Sequence, residues 1–179
     1  MRKLLNEELG RLDVVSFKKA SKIPVIVVLD NVRSLNNVGS AFRTSDAFRI
    51  EAVYLCGITA QPPHREIQKT ALGATESVDW RYFSSTAEAV DALRRNDYRI
   101  IAVEQATESV ELQDFQVHPD QKYALIFGNE VKGVEEEVVT GADAVVEIPQ
   151  FGTKHSLNIS VSIGLVLWDL WVKLQKIRK

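Results

Sequence analysis

Apolar residues in this chain follow two alternating patterns. One is the continuous run: Val25-Ile26-Val27-Val28-Leu29 follows Pro24, and similar runs occupy residues 52–56, 99–103, 123–127 and 144–148. Unbroken β-branched and aliphatic stretches of this kind suit strands buried on both faces, as in a parallel sheet. The other is helical spacing, which predicts helices over residues 38–48, 64–72, 86–95 and 134–140. The third of these opens at Ser85-Thr86-Ala87-Glu88, a hydroxyl start followed by a carboxylate. Strand then helix, repeated about five times, predicts an α/β fold, a mostly parallel sheet with helices on both faces.

Two segments lie outside this alternation. Residues 2–12 place Leu4, Leu5, Leu9 and Leu12 at helical spacing with the charges opposite, which predicts a short amphipathic helix. Residues 1–22 therefore read as a basic helical extension and residues 23–179 as the domain proper. At the other end a helix is predicted over 156–176, opened by Ser156 as N-cap and apolar on nearly every side through Val161, Ile163, Leu165, Val166, Leu167, Trp168, Leu170 and Trp171. A helix apolar all round is buried all round. In a domain this small one side meets the sheet and the other needs a partner subunit, so a homodimer is expected; burial wholly within one chain is the alternative. Trp80, Trp168 and Trp171 read as core or dimer contacts rather than base-stacking platforms.

Composition narrows the class further. A chain of 179 residues, 45% apolar and 26% charged, with five prolines and nine glycines, is one globular domain with a short appendage rather than a disordered chain or repeat array. A net charge of −2 argues at first sight against a nucleic-acid partner, but it is unevenly spread. Residues 1–22 carry +3 and the last nine residues +4, which leaves −9 for residues 23–170. An acidic body with two basic ends presents a local positive field if those ends converge. The single cysteine, Cys56, excludes an internal disulfide and a cysteine zinc site, and within its apolar run it reads as a small buried hydrophobe rather than a reactive thiol. The N-terminus lacks the continuous apolar segment of a signal peptide, and polar residues interrupt the most apolar stretch, 157–172. A cytoplasmic protein with no membrane partner is expected.

Candidate chemistry sits in three loops, each after a predicted strand, at the edge where open α/β sheets bind ligands. No dinucleotide or P-loop glycine pattern occurs, which disfavours a phosphate-rich cofactor. The first loop, residues 29–48, carries Asn36-Asn37 and, six positions after Asn37, Arg43. The asparagines can simply cap a helix and the arginine can be a solvated charge. The second is Phe127-Gly128-Asn129-Glu130-Val131-Lys132-Gly133, in which turn chemistry explains the glycines but not the Asn-Glu pair. The third runs from Ile148-Pro149 through Gly152 to Ser156-Leu157-Asn158. There a polar Asn158 at the start of an apolar helix needs a partner, and the helix start offers unpaired amides to a ligand. His64 and His155 flank the site without clustered carboxylates or cysteines, a poor metal set, so no catalytic metal is expected.

These motifs resemble the SpoU (TrmH) family of RNA 2′-O-ribose methyltransferases in the SPOUT superfamily. The resemblance rests on Asn37 to Arg43, Phe127-Gly128-Asn129-Glu130 with Gly133, and Ile148-Pro149 with Gly152 and Ser156-Leu157-Asn158, in that order over residues 25–175. Pro63-His64, Lys69-Thr70-Ala71-Leu72-Gly73-Ala74 and Ile101-Ala102-Val103-Glu104-Gln105 are similar to the branch holding the tRNA enzymes that methylate a guanosine ribose in the D-loop. The resemblance implies an S-adenosylmethionine-dependent homodimer with a C-terminal deep trefoil knot, which generic topology rules would exclude. It implies a cofactor pocket lined by Glu104, Gln105, Gly128, Asn129, Ile148, Ser156 and Leu157, with Asn37, Arg43, Glu130, Ser156 and Asn158 around the methyl group and ribose.

Transfer to a ribose 2′-oxygen is an in-line displacement that needs alignment and help with a proton. An arginine stays protonated, so Arg43 suits phosphate binding and alkoxide stabilisation better than the role of base proposed in the family. Arg2, Lys3, Arg11, Arg33, Arg65, Lys173 and Lys176 are the candidate RNA contacts. tRNA is favoured as substrate, with ribosomal RNA the alternative; a catalytically silent RNA-binding assembly factor would be expected to lose Arg43 or the Ser156-Asn158 pair, and both are present.

Overall fold

The computed structural model describes residues 1–177, so Arg178 and Lys179 of the basic tail lie outside the described residues. Seven strands form one sheet among the described residues: β1 (Ile23–Asp30), β2 (Ile50–Cys56), β3 (Asp79–Phe83), β4 (Tyr98–Val103), β5 (Val110–Glu111), β6 (Lys122–Phe127) and β7 (Ala144–Glu147). Their order is β3-β2-β1-β6-β4-β7-β5, with every neighbouring pair parallel. The helices are α1 (Val14–Lys19), α2 (Leu35–Ala47), α3 (Arg65–Ala71), α4 (Ala74–Ser77), α5 (Thr86–Arg94), α6 (Glu136–Gly141) and α7 (Ile159–Ile177).

An inner strand, β1, shows why continuous apolar runs were needed. Val27 of β1 lies between Val53 of β2 and Leu125 of β6. Val25, Val27 and Leu29 face one layer with α2, α3 and α7, while Ile26 and Val28 face the other with α5 and α6. Both sides of β1 are thus dry, and the side-chain alternation of a strand delivers an apolar residue to each. Cys56 belongs to the second layer, fully buried, and burial pushes its thiol up to about 12. That is a packed hydrophobe rather than a nucleophile.

Two expectations are corrected. The amphipathic helix over 2–12 does not form: Asn6–Leu9 makes one 3-10 turn and α1 starts later, capped by Asp13, whose carboxylate accepts from the Ser16 amide at 2.7 Å. Leu4 and Leu5 remain 60% and 65% exposed, so the apolar face of that segment has nothing to pack on, and a helix this short is not stable without packing. Phe17 of α1, by contrast, is buried in the main core. The last helix starts at Ile159, not Ser156, because Asn158 is its cap: the Asn158 side-chain oxygen accepts from the Ser160 amide at 2.9 Å and its backbone oxygen from Val161 and Ser162. The same helix is buried along Ile163, Val166, Leu167, Leu170 and Leu174, but Val161, Leu165 and Trp168 are exposed in the single chain.

Candidate active site

The sheet order places β6, β4 and β7 side by side, so the segments leaving their carboxyl ends meet. Between them lies a cavity of about 690 Å³. Glu104 and Gln105 come from the end of β4, residues 128–134 from β6, Ile148 and Gln150 from β7, and His155 to Ile159 from the approach to α7. All seven candidate cofactor residues, Glu104, Gln105, Gly128, Asn129, Ile148, Ser156 and Leu157, line this one space. Its size falls within the range of small-molecule sites, roughly 300–1,000 Å³.

The walls are held by short-range bonds that explain the residue types. The segment after β6 folds back on itself, with the Asn129 and Gly133 amides each donating to the other's carbonyl at 2.9 Å. A side-chain carbon on Gly128 would lie 2.0 Å from the backbone of Gly133 and Val134, so only glycine fits. Gly133 has φ +71° and sits against the Glu104 carboxylate, which accepts from the amides of Val134 at 3.0 Å and Gln105 at 2.9 Å. The Asn129 side chain is occupied by the fold, accepting from the Val131 and Lys132 amides and donating to the Asn31 carbonyl. Gln105 reaches across to donate to the His155 carbonyl at 3.1 Å.

A second set joins the first loop to this cavity. The Glu130 carboxylate accepts from the amides of Arg33 and Ser34 at 3.0 and 2.9 Å and from the Asn37 side chain at 3.1 Å. Burial pushes its carboxyl up, but these donors outweigh burial and hold it below the usual carboxylate range. Asn37 in turn accepts from the Asn158 side chain at 3.2 Å. Glu130, Asn37 and Asn158 therefore form one chain at the cavity rim, with Ser156 among the lining residues.

Arg43 is not brought to the cavity. It is exposed on α2 and makes no side-chain hydrogen bond or ion pair among the described residues. Six residues along a helix is about 600°, so Arg43 points roughly 120° away from Asn37. Among the candidate RNA contacts, Arg2, Lys3, Arg11, Arg33, Arg65 and Lys176 are exposed, Arg2 in a surface pair with Glu8. Lys173 leaves that set: it pairs with Asp169 at 2.5 Å and donates to the Leu112 carbonyl, pinning α7 to the turn after β5. His64 caps α3, its Nδ1 accepting from the Glu66 amide. Gln150, Lys132 and Ser162 also line the cavity without having been singled out. Of these only Ser162 carried a signal, lying one helical turn after Asn158.

Comparison with known proteins agrees with this geometry. The model of the SpoU rRNA Methylase family matches residues 24–168. The chain is 28% identical over 149 residues to a tRNA (guanosine(18)-2'-O)-methyltransferase of Borreliella burgdorferi, covering 83% of this chain and 66% of the relative. It is 32% identical over 147 residues to the 23S rRNA (guanosine-2'-O-)-methyltransferase RlmB of Neisseria meningitidis, covering 82% of this chain and 58% of that protein. The chain thus spans less than two thirds of the length of these relatives. Its fold superimposes on the crystal structure of the A. aeolicus TrmH/SpoU tRNA modifying enzyme with a TM-score of 0.78 at 25% identity, covering 91% of this chain and 81% of the other. An AdoMet-bound rRNA methyltransferase from Sinorhizobium meliloti gives 0.76 at 25% identity, covering 86% and 58%. With the matched region extending from β1 into α7, two motif loops lining one cavity and the first bonded to its rim, the chain belongs to the SpoU methylase family.

Proposed function

We propose that this protein transfers a methyl group from S-adenosylmethionine to a ribose 2′-oxygen in RNA, with tRNA the favoured substrate and a D-loop guanosine the favoured position. The observation that carries this reading is the meeting of the candidate cofactor residues on one cavity, with the Glu130–Asn37–Asn158 chain at its rim. The cavity suits a cofactor without phosphates: glycine-containing loops line it, and the carboxylates of Glu104, Glu130 and Glu147 among its lining can accept from hydroxyl or ammonium donors. When bound, S-adenosylmethionine supplies an electrophilic methyl on a sulfonium centre.

The protein's own groups then have distinct tasks. Backbone at Gly128, Ile148 and Leu157 orients the cofactor, with Gln105, Asn129 and Ser156 completing the wall. Asn37 and Asn158 hold the ribose. Glu130, kept ionised, fixes the start of α2. Arg43 binds the phosphate beside the target ribose and stabilises the alkoxide as the hydroxyl proton leaves. Its position outside the cavity of one chain supports a site completed in a homodimer, and the exposed Val161, Leu165 and Trp168 of α7 support the same assembly. Lys3, Arg11, Arg33, Arg65 and Lys176 extend the positive surface for RNA, with residues 1–22 as an arm on the methyltransferase domain, acting in the cytoplasm.

A trefoil knot is part of this reading. β7 lies between β4 and β5, which are themselves joined directly through residues 104–109, an order that supports the chain crossing that connection on its way from β7 to α7. The contact between Gln105 and the His155 carbonyl supports such a crossing.

The test is incubation of the protein with labelled S-adenosylmethionine and either bulk tRNA or ribosomal RNA, followed by mapping of positions resistant to alkaline cleavage. Resistance at one tRNA position is expected. Resistance only in ribosomal RNA favours the second reading, for which the similarity to the Neisseria enzyme speaks. No resistant position in either pool favours an assembly factor.

A further inference from the structure

Directly after β1, Asn31 stands in the left-handed conformation, with φ +54°. Its side-chain NH2 donates to Asp30 Oδ1 at 2.9 Å and to Glu135 Oε1 at 2.7 Å, while its side-chain oxygen accepts from the Ile58 amide at 3.1 Å. Its carbonyl accepts from Asn129 Nδ2 at 2.7 Å and its amide donates to the Cys56 carbonyl. Gly57 leaves the room, since a side-chain carbon there would lie 2.1 Å from Asn31 Oδ1. Asp30 is fully buried and is also bonded by the Thr86 hydroxyl and the Glu135 amide.

One residue thus fastens the loop carrying Asn37 to both ends of the segment after β6: its side chain holds Glu135, and its backbone carbonyl holds the Asn129 side chain. The position makes two demands. The backbone needs a residue tolerant of positive φ, which among non-glycine residues favours asparagine and aspartate. Two carboxylates, Asp30 and Glu135, need one donor group between them, which an amide supplies and an aspartate does not. Burial and the Asp30 charge both push the Glu135 carboxyl above its ordinary range, and the Asn31 amide works against them.

We propose that Asn31 is a positioning residue that holds the cofactor wall, residues 129–135, in register with the Asn37 loop, so that the two halves of the reaction are aligned. The proposal rests on the methyltransferase reading only for its kinetic consequence. A misalignment of about 1 Å can cost roughly 100-fold in rate. The expected effect is therefore on kcat more than on cofactor affinity.

The test compares Asn31→Asp, Asn31→Gly and the double variant Asn31→Asp with Glu135→Gln, which returns an amide to the pair from the opposite side. Amide hydrogen exchange is measured first, on the full chain without RNA. Exchange at Val134 and Glu135, the end held by the side chain, is expected to rise at least about tenfold in both single variants, with the β6 amides unchanged, because the tie is lost while the sheet stays packed. S-adenosylmethionine affinity by calorimetry is expected to change less than about fivefold while kcat falls about tenfold or more, and the double variant is expected to recover at least about threefold of the lost kcat. Asn31→Gly keeps the backbone conformation and so reports the tie should the aspartate variant fold poorly. Unchanged exchange at Val134 and Glu135, or a double variant no better than Asn31→Asp, overturns the proposal. Absence of methyl transfer by the parent protein overturns the functional reading instead, and the exchange measurement still decides the role of Asn31.

Discussion

Glu130 gathers two backbone amides and the Asn37 side chain at the start of α2, so a single carboxylate sets where the first motif meets the cavity. Its folded pKa lies below the unfolded value, so the ionised form contributes stability at neutral pH. That contribution fades as pH falls below the ordinary glutamate value of about 4.3 and through the lower folded one. Glu130→Gln is therefore expected to lower the melting temperature at pH 7, and the gap from the parent should narrow toward pH 3 in thermal denaturation. Among the described residues Arg43 has no hydrogen-bond or ion-pair partner to lose. Arg43→Ala is expected to leave folding and cofactor binding intact while turnover drops at least ~100-fold in the methyl-transfer assay, the scale of a lost electrostatic donor. Turnover within a few-fold of the parent would remove Arg43 from the mechanism.

Among the elements, legibility followed burial. β1, β2, β4, β6 and β7 spell continuous apolar runs because they lie inside the sheet, and all were readable. β3 and β5 were not, for they are its two edges: Asp79 and Arg81 face water, and β5 is only Val110–Glu111. The three motif loops were legible as chemistry through residue types that turns alone do not require. Glu130, Asn158 and Asn37 were found that way, but the bonds that join them were not, because hydrogen bonds spanning more than ninety residues leave no local pattern. Ser156 was misread as a cap since serine and asparagine are equally good in that role, and the backbone chose Asn158. The hairpin after β6 offers a direct test. Gly128→Ala forces a carbon into the Gly133–Val134 backbone, an overpacking expected to cost about 1–3 kcal/mol. Chemical denaturation should show that loss together with weakened S-adenosylmethionine binding.

Considered as one molecule, the protein buries its strands in two apolar layers and leaves an apolar stripe outside. Trp168 stacks on Trp171 with ring centres 5.3 Å apart, and Phe48 of the α2 end closes the cluster, yet Trp168 is 55% exposed. Trp168→Glu is expected to convert a dimer to a monomer in light scattering while thermal stability of the isolated fold changes little, since the side chain is half outside. A parent protein monomeric at micromolar concentration would refute the assembly. The acidic middle of the chain still exposes Arg33, Arg43 and Arg65 in or beside the motif loops, where the proposed RNA partner would meet them.

The polar, abbreviated edges of the sheet also decide how such an assembly ends. An edge that offers Asp79 and Arg81 on one side and two residues on the other gives little template for strand addition. In the proposed homodimer, contact through the α7 stripe would match a surface to its own copy and be used up once made. Scattered intensity per unit mass should therefore rise with concentration to a plateau at two chains and stay there, rather than climb as it does for material that grows from its open ends.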